Sequence, residues 1–185
     1  MDERKWIERI LAGDTQSFSC LVAKYEKMAY TIALRILENR EEAEEAVQDA
    51  FVKMYRALSD FHFDSKFSTW FYRIVYRTAL TALRQQRMFV SYEEAGPVDL
   101  SNDEVESATA LLEREDRKEM IARTLKKLPA DEALLLTLYY LEECSVEEIC
   151  QITELSASNV KLFRGRKRFY EVLQDKMKLE TADLL

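Results

Sequence analysis

The run NREEAEEAVQDAFVKMYRAL, residues 39–58, decides the fold. Asn39 followed three residues later by Glu42 is a helix-opening capping pair. Ala43, Ala46, Val47, Ala50, Phe51, Met54 and Leu58 then recur at spacings of three and four, which places them on one stripe of an α-helix. Glu41, Glu42, Glu44, Glu45 and Asp49 fill the remainder, so the helix is apolar on one side and acidic on the other. Neither Gly nor Pro interrupts it.

The same period extends in both directions. Thr15 to Leu37 carries Phe18, Leu21, Val22, Tyr25, Met28, Ala29, Ile32, Ala33, Ile36 and Leu37 at helical spacing. Ser59 to Ser68 breaks the pattern, and a third long helix is predicted from about Thr69 to Arg87. Three such helices bury one modest core, giving a first domain over residues 1–88. Residues 89–107 hold Gly96-Pro97 and the acids Glu93, Glu94, Asp99, Asp103, Glu104 and Glu106, with no base after residue 89. This stretch reads as an acidic linker, poorly ordered in the free protein.

A second domain is predicted over residues 108–185. Ala108 to Leu128 is helical and stopped by Pro129. Asp131 to Glu142 is a helix with Leu134, Leu135, Leu138, Tyr139 and Leu141 on its apolar face. Ser145 with Glu148 is a capping box that opens a short helix through Gln151 or Ile152. A tight connection to Ser156 leads into a last helix from about Ala157 to Lys178, which is the helix-turn-helix order. The expected fold is all-α, two small helical domains joined by the acidic linker.

Composition supports this and removes other classes. With 3 Gly and 2 Pro in 185 residues, the turns a sheet protein needs are missing. Hydrophobic residues at 48% and charged residues at 33% exclude a disordered tail. No apolar run reaches the roughly 18 residues of a membrane span, and Met1 to Trp6 lacks a signal-peptide layout. A cytoplasmic protein with no membrane insertion is expected. Cys20, Cys144 and Cys150 show no zinc-ligand spacing, His62 is the one histidine, and phosphate-loop, dinucleotide and nucleophile-elbow motifs are absent. The chain is therefore read as no enzyme, with no catalytic residue, metal site or cofactor.

Net charge is −7, but it is unevenly spread. Lys66, Arg73, Arg77, Arg84 and Arg87 stand in a stretch without an acid, and Lys161, Arg164, Arg166, Lys167, Arg168, Lys176 and Lys178 form a second basic stretch. A chain of this layout meets polyanion at two places. At the first, Phe61, Phe63, Phe67, Trp70, Phe71, Tyr72 and Tyr76 interleave with the arginines. Aromatic faces stack on unpaired bases while Arg tracks phosphates, although some of these rings must form core. Phe61, His62, Phe63, Asp64, Ser65 and Lys66 read as an exposed loop suited to base contact. At the second, Ser156, Ser158, Asn159, Lys161, Arg164, Arg166 and Arg168 lie at the head of the last helix, the end by which a recognition helix enters the major groove. The acidic helix repels DNA, so Gln48, Asp49, Lys53 and Tyr55 on it are assigned to a protein partner.

Three segments are similar to the extracytoplasmic-function (group 4) members of the sigma-70 family, the promoter-recognising subunits of bacterial RNA polymerase. Residues 39–58 resemble the family's polymerase-binding helix. Phe67-Ser-Thr-Trp-Phe-Tyr-Arg-Ile-Val75 is similar to the motif Phe-x-Thr-Trp-Leu-Tyr-Arg-Ile-Ala of the minus-ten-binding region. Leu128-Pro129 opening the helix-turn-helix resembles the minus-thirty-five-binding region. The resemblance implies a dissociable subunit that directs polymerase to promoters and helps melt the minus-ten region. It implies Gln48, Asp49, Lys53 and Tyr55 on the polymerase clamp of the largest subunit, and the second domain near the flap of the second-largest. Phe61 to Lys66 with Trp70, Arg73, Arg77 and Arg84 would take the minus-ten strand, and the head of the last helix the minus-thirty-five duplex. An anti-sigma factor is a further partner the resemblance allows. Two departures stand out: Arg77 and Thr81 replace the Asn and Asp usual after the Tyr-Arg-Ile stretch, and Val160-Lys161 runs directly into Leu162-Phe163-Arg164. A stand-alone helix-turn-helix regulator is the alternative; it leaves the aromatic-basic helix without a task.

Overall fold

The computed structural model describes residues 3–90, 124–125, 127–156, 162 and 164–172. Helices α1 (Glu3–Leu11), α2 (Gln16–Leu37), α3 (Arg40–Arg56) and α4 (Phe67–Val90) form the first unit, with a 3₁₀ turn at Leu58–Asp60. Helices α5 (Ala130–Tyr140), α6 (Val146–Thr153) and α7 (residues 164–172) form the second. The first unit was read correctly at α2 and α3, while α4 begins at Phe67 and runs to Val90, two residues into the stretch assigned to the linker. The linker from residue 91, residues 108–123 of the helix expected over 108–128 and the start of the last helix lie outside the described residues.

Side-chain size decides how the first unit packs. Ala29 and Ala33 of α2 and Ala43, Ala46 and Ala50 of α3 are buried, and such small residues let helix axes approach closely. The space left is filled by rings: Phe51 meets Phe71 at 4.8 Å between centroids, and Tyr25 meets Phe67, Phe71 and Tyr72 at 5.4, 5.9 and 5.9 Å. Asn39 Oδ1 accepts from the Glu42 amide at 3.2 Å, so the expected cap is present. The Glu42 carboxylate does not complete the box; it accepts from Gln86 Nε2 at 3.1 Å and ties α3 to α4 instead. Helix α1 lacked a long enough period to be read from sequence. Ile7 and Ile10 anchor it, and Glu3 accepts from the Tyr25 hydroxyl and pairs with Lys24.

In the second unit Ser145 and Glu148 form the expected capping box, with Glu148 Oε2 accepting from the Ser145 amide at 2.7 Å. Helix α5 is buried from Glu132 through Leu138 on every side, because it is enclosed by the first unit and by α7. Leu141 was assigned to its apolar face, but the helix ends at Tyr140 and Leu141 is exposed. Leu162 is buried, and Gly165 faces α5. A Cβ on Gly165 would lie 3.3 Å from Glu132 Cβ, so glycine here permits a close helix approach.

The two units are not apart. Helix α6 packs on α4 and α5 on α2, and buried residues of both units join one continuous core.

Candidate nucleic-acid and polymerase interfaces

The loop between the 3₁₀ turn and α4 is shaped by its rings. Phe61, expected on an exposed loop, is only 6% exposed. It lies against Phe63, Phe67 and Trp70 at 4.8, 5.4 and 5.1 Å between centroids. Apolar burial explains the correction: with Phe67 at the first turn of α4, Phe61 is drawn into the core and anchors the loop. Phe63 does the opposite. It adopts φ 62°, a left-handed backbone that costs a bulky residue energy, and its ring is 41% exposed. Arg4 of α1 stands over that ring at 4.9 Å. His62, Asp64 and Lys66 are exposed and Ser65 is half-buried. Beside them a cleft of about 420 Å³ is lined by Asp60, Phe61, His62, Asp64, Ser65, Trp70, Arg73 and Gln151. Trp70 and Arg73 are half-buried, and Arg84 is exposed further along α4.

Several basic residues of this surface already have partners. Lys66 Nζ stands 3.0 Å from Glu148 Oε1, and Thr69 Oγ1 donates to the same oxygen at 3.4 Å. Burial acts to raise the Glu148 carboxyl. The Ser145 amide, the Lys66 ammonium and the Thr69 hydroxyl outweigh it and hold the group below its ordinary value. Tyr72 donates to Glu142 Oε2 at 2.7 Å; burial and this acceptor together push the phenol well above its usual range. Arg77 Nε donates to Glu154 Oε1 at 3.0 Å. Cys144, buried in the same seam, is pushed up to about 11 by burial, so it is a packed thiol and not a reactive one.

On α3, Gln48 and Asp49 are exposed together with Val52 (47%) and Tyr55 (45%). Phe18 of α2 meets Tyr55 edge-on at 5.1 Å and extends this face. Phe18 was missed in the sequence because it reads as ordinary core at helical spacing, and Val52 because it stands off the apolar stripe on a face read for its polar residues. Lys53 is exposed as well, and its Nζ donates to Thr78 Oγ1 of α4 at 3.2 Å.

Of the residues assigned to the minus-thirty-five duplex, Ser158, Asn159 and Lys161 lie outside the described residues. Ser156 and Arg164 are exposed. Arg168 is exposed but already engaged within the chain. It donates to Glu132 Oε2 at 3.0 Å, and that carboxylate is buried, so this arginine fastens α7 to α5. Arg166 Nε donates to the Tyr140 hydroxyl at 2.6 Å, and its guanidinium stands 5.0 and 5.4 Å from the Tyr139 and Tyr140 ring centroids. That geometry holds Arg166 over the aromatic pair.

Among the described residues no helix is long and apolar enough to cross a membrane. Residues 21–88 match the family Sigma-70 region 2, and residues 118–169 match Sigma-70, region 4. The RNA polymerase sigma-H factor of Pseudomonas aeruginosa is 32% identical over 181 residues, covering 93% of this chain and 94% of that one. The ECF RNA polymerase sigma-E factor of Escherichia coli strain K12 is 31% identical over 170 residues, covering 87% of this chain and 88% of that one. Among solved structures, the sigma factor RpoE in complex with the anti-sigma factor NepR from Bartonella quintana superposes with TM-score 0.69 at 17% identity, over 86% of this chain and 98% of that one. CnrH in complex with the cytosolic domain of CnrY gives TM-score 0.61 at 21% identity, over 94% of this chain and 99% of that one. These two likenesses concern the fold. With both regions matched in order and relatives above 30% identity along almost the whole chain, the chain belongs to the sigma-70 family of RNA polymerase sigma factors, in its extracytoplasmic-function group.

Proposed function

We propose how this sigma factor divides promoter recognition among its surfaces. The chain is a dissociable subunit that directs RNA polymerase to promoters and catalyses no reaction of its own. Core polymerase, promoter DNA and an anti-sigma factor are its partners, and its place is the cytoplasm. The outer face of α3, with Gln48, Asp49, Val52 and Tyr55, takes the polymerase clamp: it is acidic, so DNA is repelled, and it carries two exposed apolar groups a protein groove can bury.

The minus-ten strand is assigned to Phe63, His62, Asp64, Trp70, Arg73 and Arg84. One observation carries this assignment: Phe63 is held exposed on a strained left-handed backbone between His62 and Asp64, which line a cleft together with Trp70 and Arg73. The contacts with Phe61 and Arg4 hold this ring with much of its surface open, where it presents a stacking surface to an extruded base. The minus-thirty-five duplex is assigned to the head of the last helix, with Ser156, Arg164 and Arg166 among the described residues. Each contact is small and screened by salt, so firm promoter binding requires polymerase to tether both units at once.

Transcription in vitro with purified core polymerase on genomic fragments tests the assignment. Start sites that appear only when the chain is added, and disappear with Asp49→Arg, are expected. Sequence-specific binding to duplex DNA by the chain alone, with no stimulation of polymerase, would replace it with a stand-alone regulator.

A further inference from the structure

A cavity of about 570 Å³ lies between the end of α2, the later half of α4 and the start of α5. None of its described lining residues belongs to a surface assigned above, and its volume is that of a small-molecule site. Leu80 and Leu83 of α4 and Leu134 and Leu135 of α5 make its walls apolar. Arg35, half-buried in the last turn of α2, lines it as well. Among the described residues this guanidinium has no carboxylate or hydrogen-bond partner. Burial alone acts on it and pushes it below its ordinary value. A guanidinium nevertheless keeps its proton. A positive charge therefore borders an apolar enclosure without a counterion, an arrangement that costs free energy until an anion joins it.

The surroundings narrow the class of anion. Ala130 and Asp131, the first residues of α5, line the same space, and no side chain caps that end of the helix. The positive end of its dipole adds to the charge of Arg35. Glu38 and Asp131 border the cavity too, and both are exposed. A nucleotide or another ligand of several negative charges would meet these acids on entry. A ligand with one carboxylate on an apolar body meets a single cation and leucine walls. From this we propose that the cavity is a binding site for a small amphipathic monocarboxylate, whose charge pairs with Arg35 and whose body lies against Leu80, Leu83 and Leu134. Burial of the body supplies affinity, and the charge-assisted hydrogen bonds to the guanidinium supply selectivity. The site goes beyond promoter recognition, and its occupancy is read without polymerase or DNA.

The test uses the full chain with octanoate as the probe, and with octanol and octylammonium as matched neutral and cationic probes. Isothermal titration calorimetry reads affinity and stoichiometry, and the thermal melt at saturating probe gives an independent readout. One octanoate per chain is expected, bound at least about ten-fold more tightly than octanol, with a raised Tm. Octylammonium should bind more weakly than octanol. Arg35→Met keeps the apolar stem and removes the charge, so octanoate should fall to the affinity of octanol while octanol is unchanged. Leu80→Trp fills the space and should weaken octanoate and octanol together; circular dichroism verifies that it folds, and Leu83→Phe takes its place if it does not. Octanol bound as tightly as octanoate, or a preference for octanoate that survives Arg35→Met, would overturn the pairing with Arg35. No saturable octanoate binding, or binding that persists in the folded filled variant, would overturn the site itself.

Discussion

Replacing Phe63 by glycine separates what this residue does for the fold from what it does for DNA. The left-handed backbone at φ 62° strains a phenylalanine by about 1–2 kcal/mol, which glycine releases. Against this stand the lost contacts with the Phe61 ring and the Arg4 guanidinium and the greater freedom of an unfolded glycine, together also about 1–2 kcal/mol. The two nearly cancel, so Tm should move by no more than about 4 °C. Phe61→Ala, made two residues earlier, removes a buried ring and should cost about 3–5 kcal/mol. Function should reverse the ranking per unit of stability. Loss of one base stack is worth about 1–3 kcal/mol, or roughly 5- to 150-fold in the open-complex equilibrium. Permanganate reactivity of the melted strand, measured with saturating holoenzyme, reads that equilibrium. A template already mismatched across the minus-ten region should still show part of the loss, because the stack itself is missing. Open complexes within two-fold of the parent at an unchanged Tm would show that Phe63 stacks on no base.

Three further outcomes are expected. Gln48→Ala with Asp49→Arg should weaken competition for core polymerase by about 1–3 kcal/mol while leaving the melting curve unchanged, since both side chains are exposed; equal competition would make the acidic face merely solvated. Arg164→Ala should flatten the salt dependence of closed-complex binding by about one unit of slope at constant Tm, whereas Arg168→Ala should lower Tm by leaving the Glu132 carboxylate buried and unpaired; a loss of Tm for Arg164→Ala alone would reverse the two roles. The Glu148 carboxyl is held below its ordinary value of 4.5 in the folded chain, so its contribution is present above that pH and fades as pH falls through the folded value. The difference in stability between the parent and Glu148→Gln should therefore shrink on acidification below about pH 4.5, and a difference independent of pH would refute the pairing with Lys66 and Thr69.

How far the sequence could be read follows from the range of each signal. Periodicity and capping are local, so α2, α3 and the Ser145–Glu148 box could be read residue by residue. Boundaries were less legible where aromatic residues suit loop and helix alike: Phe67 belongs to α4, and nothing between Ser59 and Ser68 indicates that Phe61 turns inward while Phe63 turns out. Partners distant in the chain left no trace. The engagement of Lys53 with Thr78 and of Arg168 with Glu132 depends on which helices meet, and a basic side chain looks the same in sequence whether it awaits a phosphate or already holds a carboxylate.

That ambiguity bears on how an acidic protein recognises DNA. A chain of net charge −7 has little general attraction for polyanion, so its basic surface must be concentrated and its acids kept from competing where DNA is to bind. Glu148 and Glu154 of the second unit already pair with Lys66 and Arg77, so part of the basic row on α4 is neutralised within the chain, while Arg84 further along the helix remains exposed.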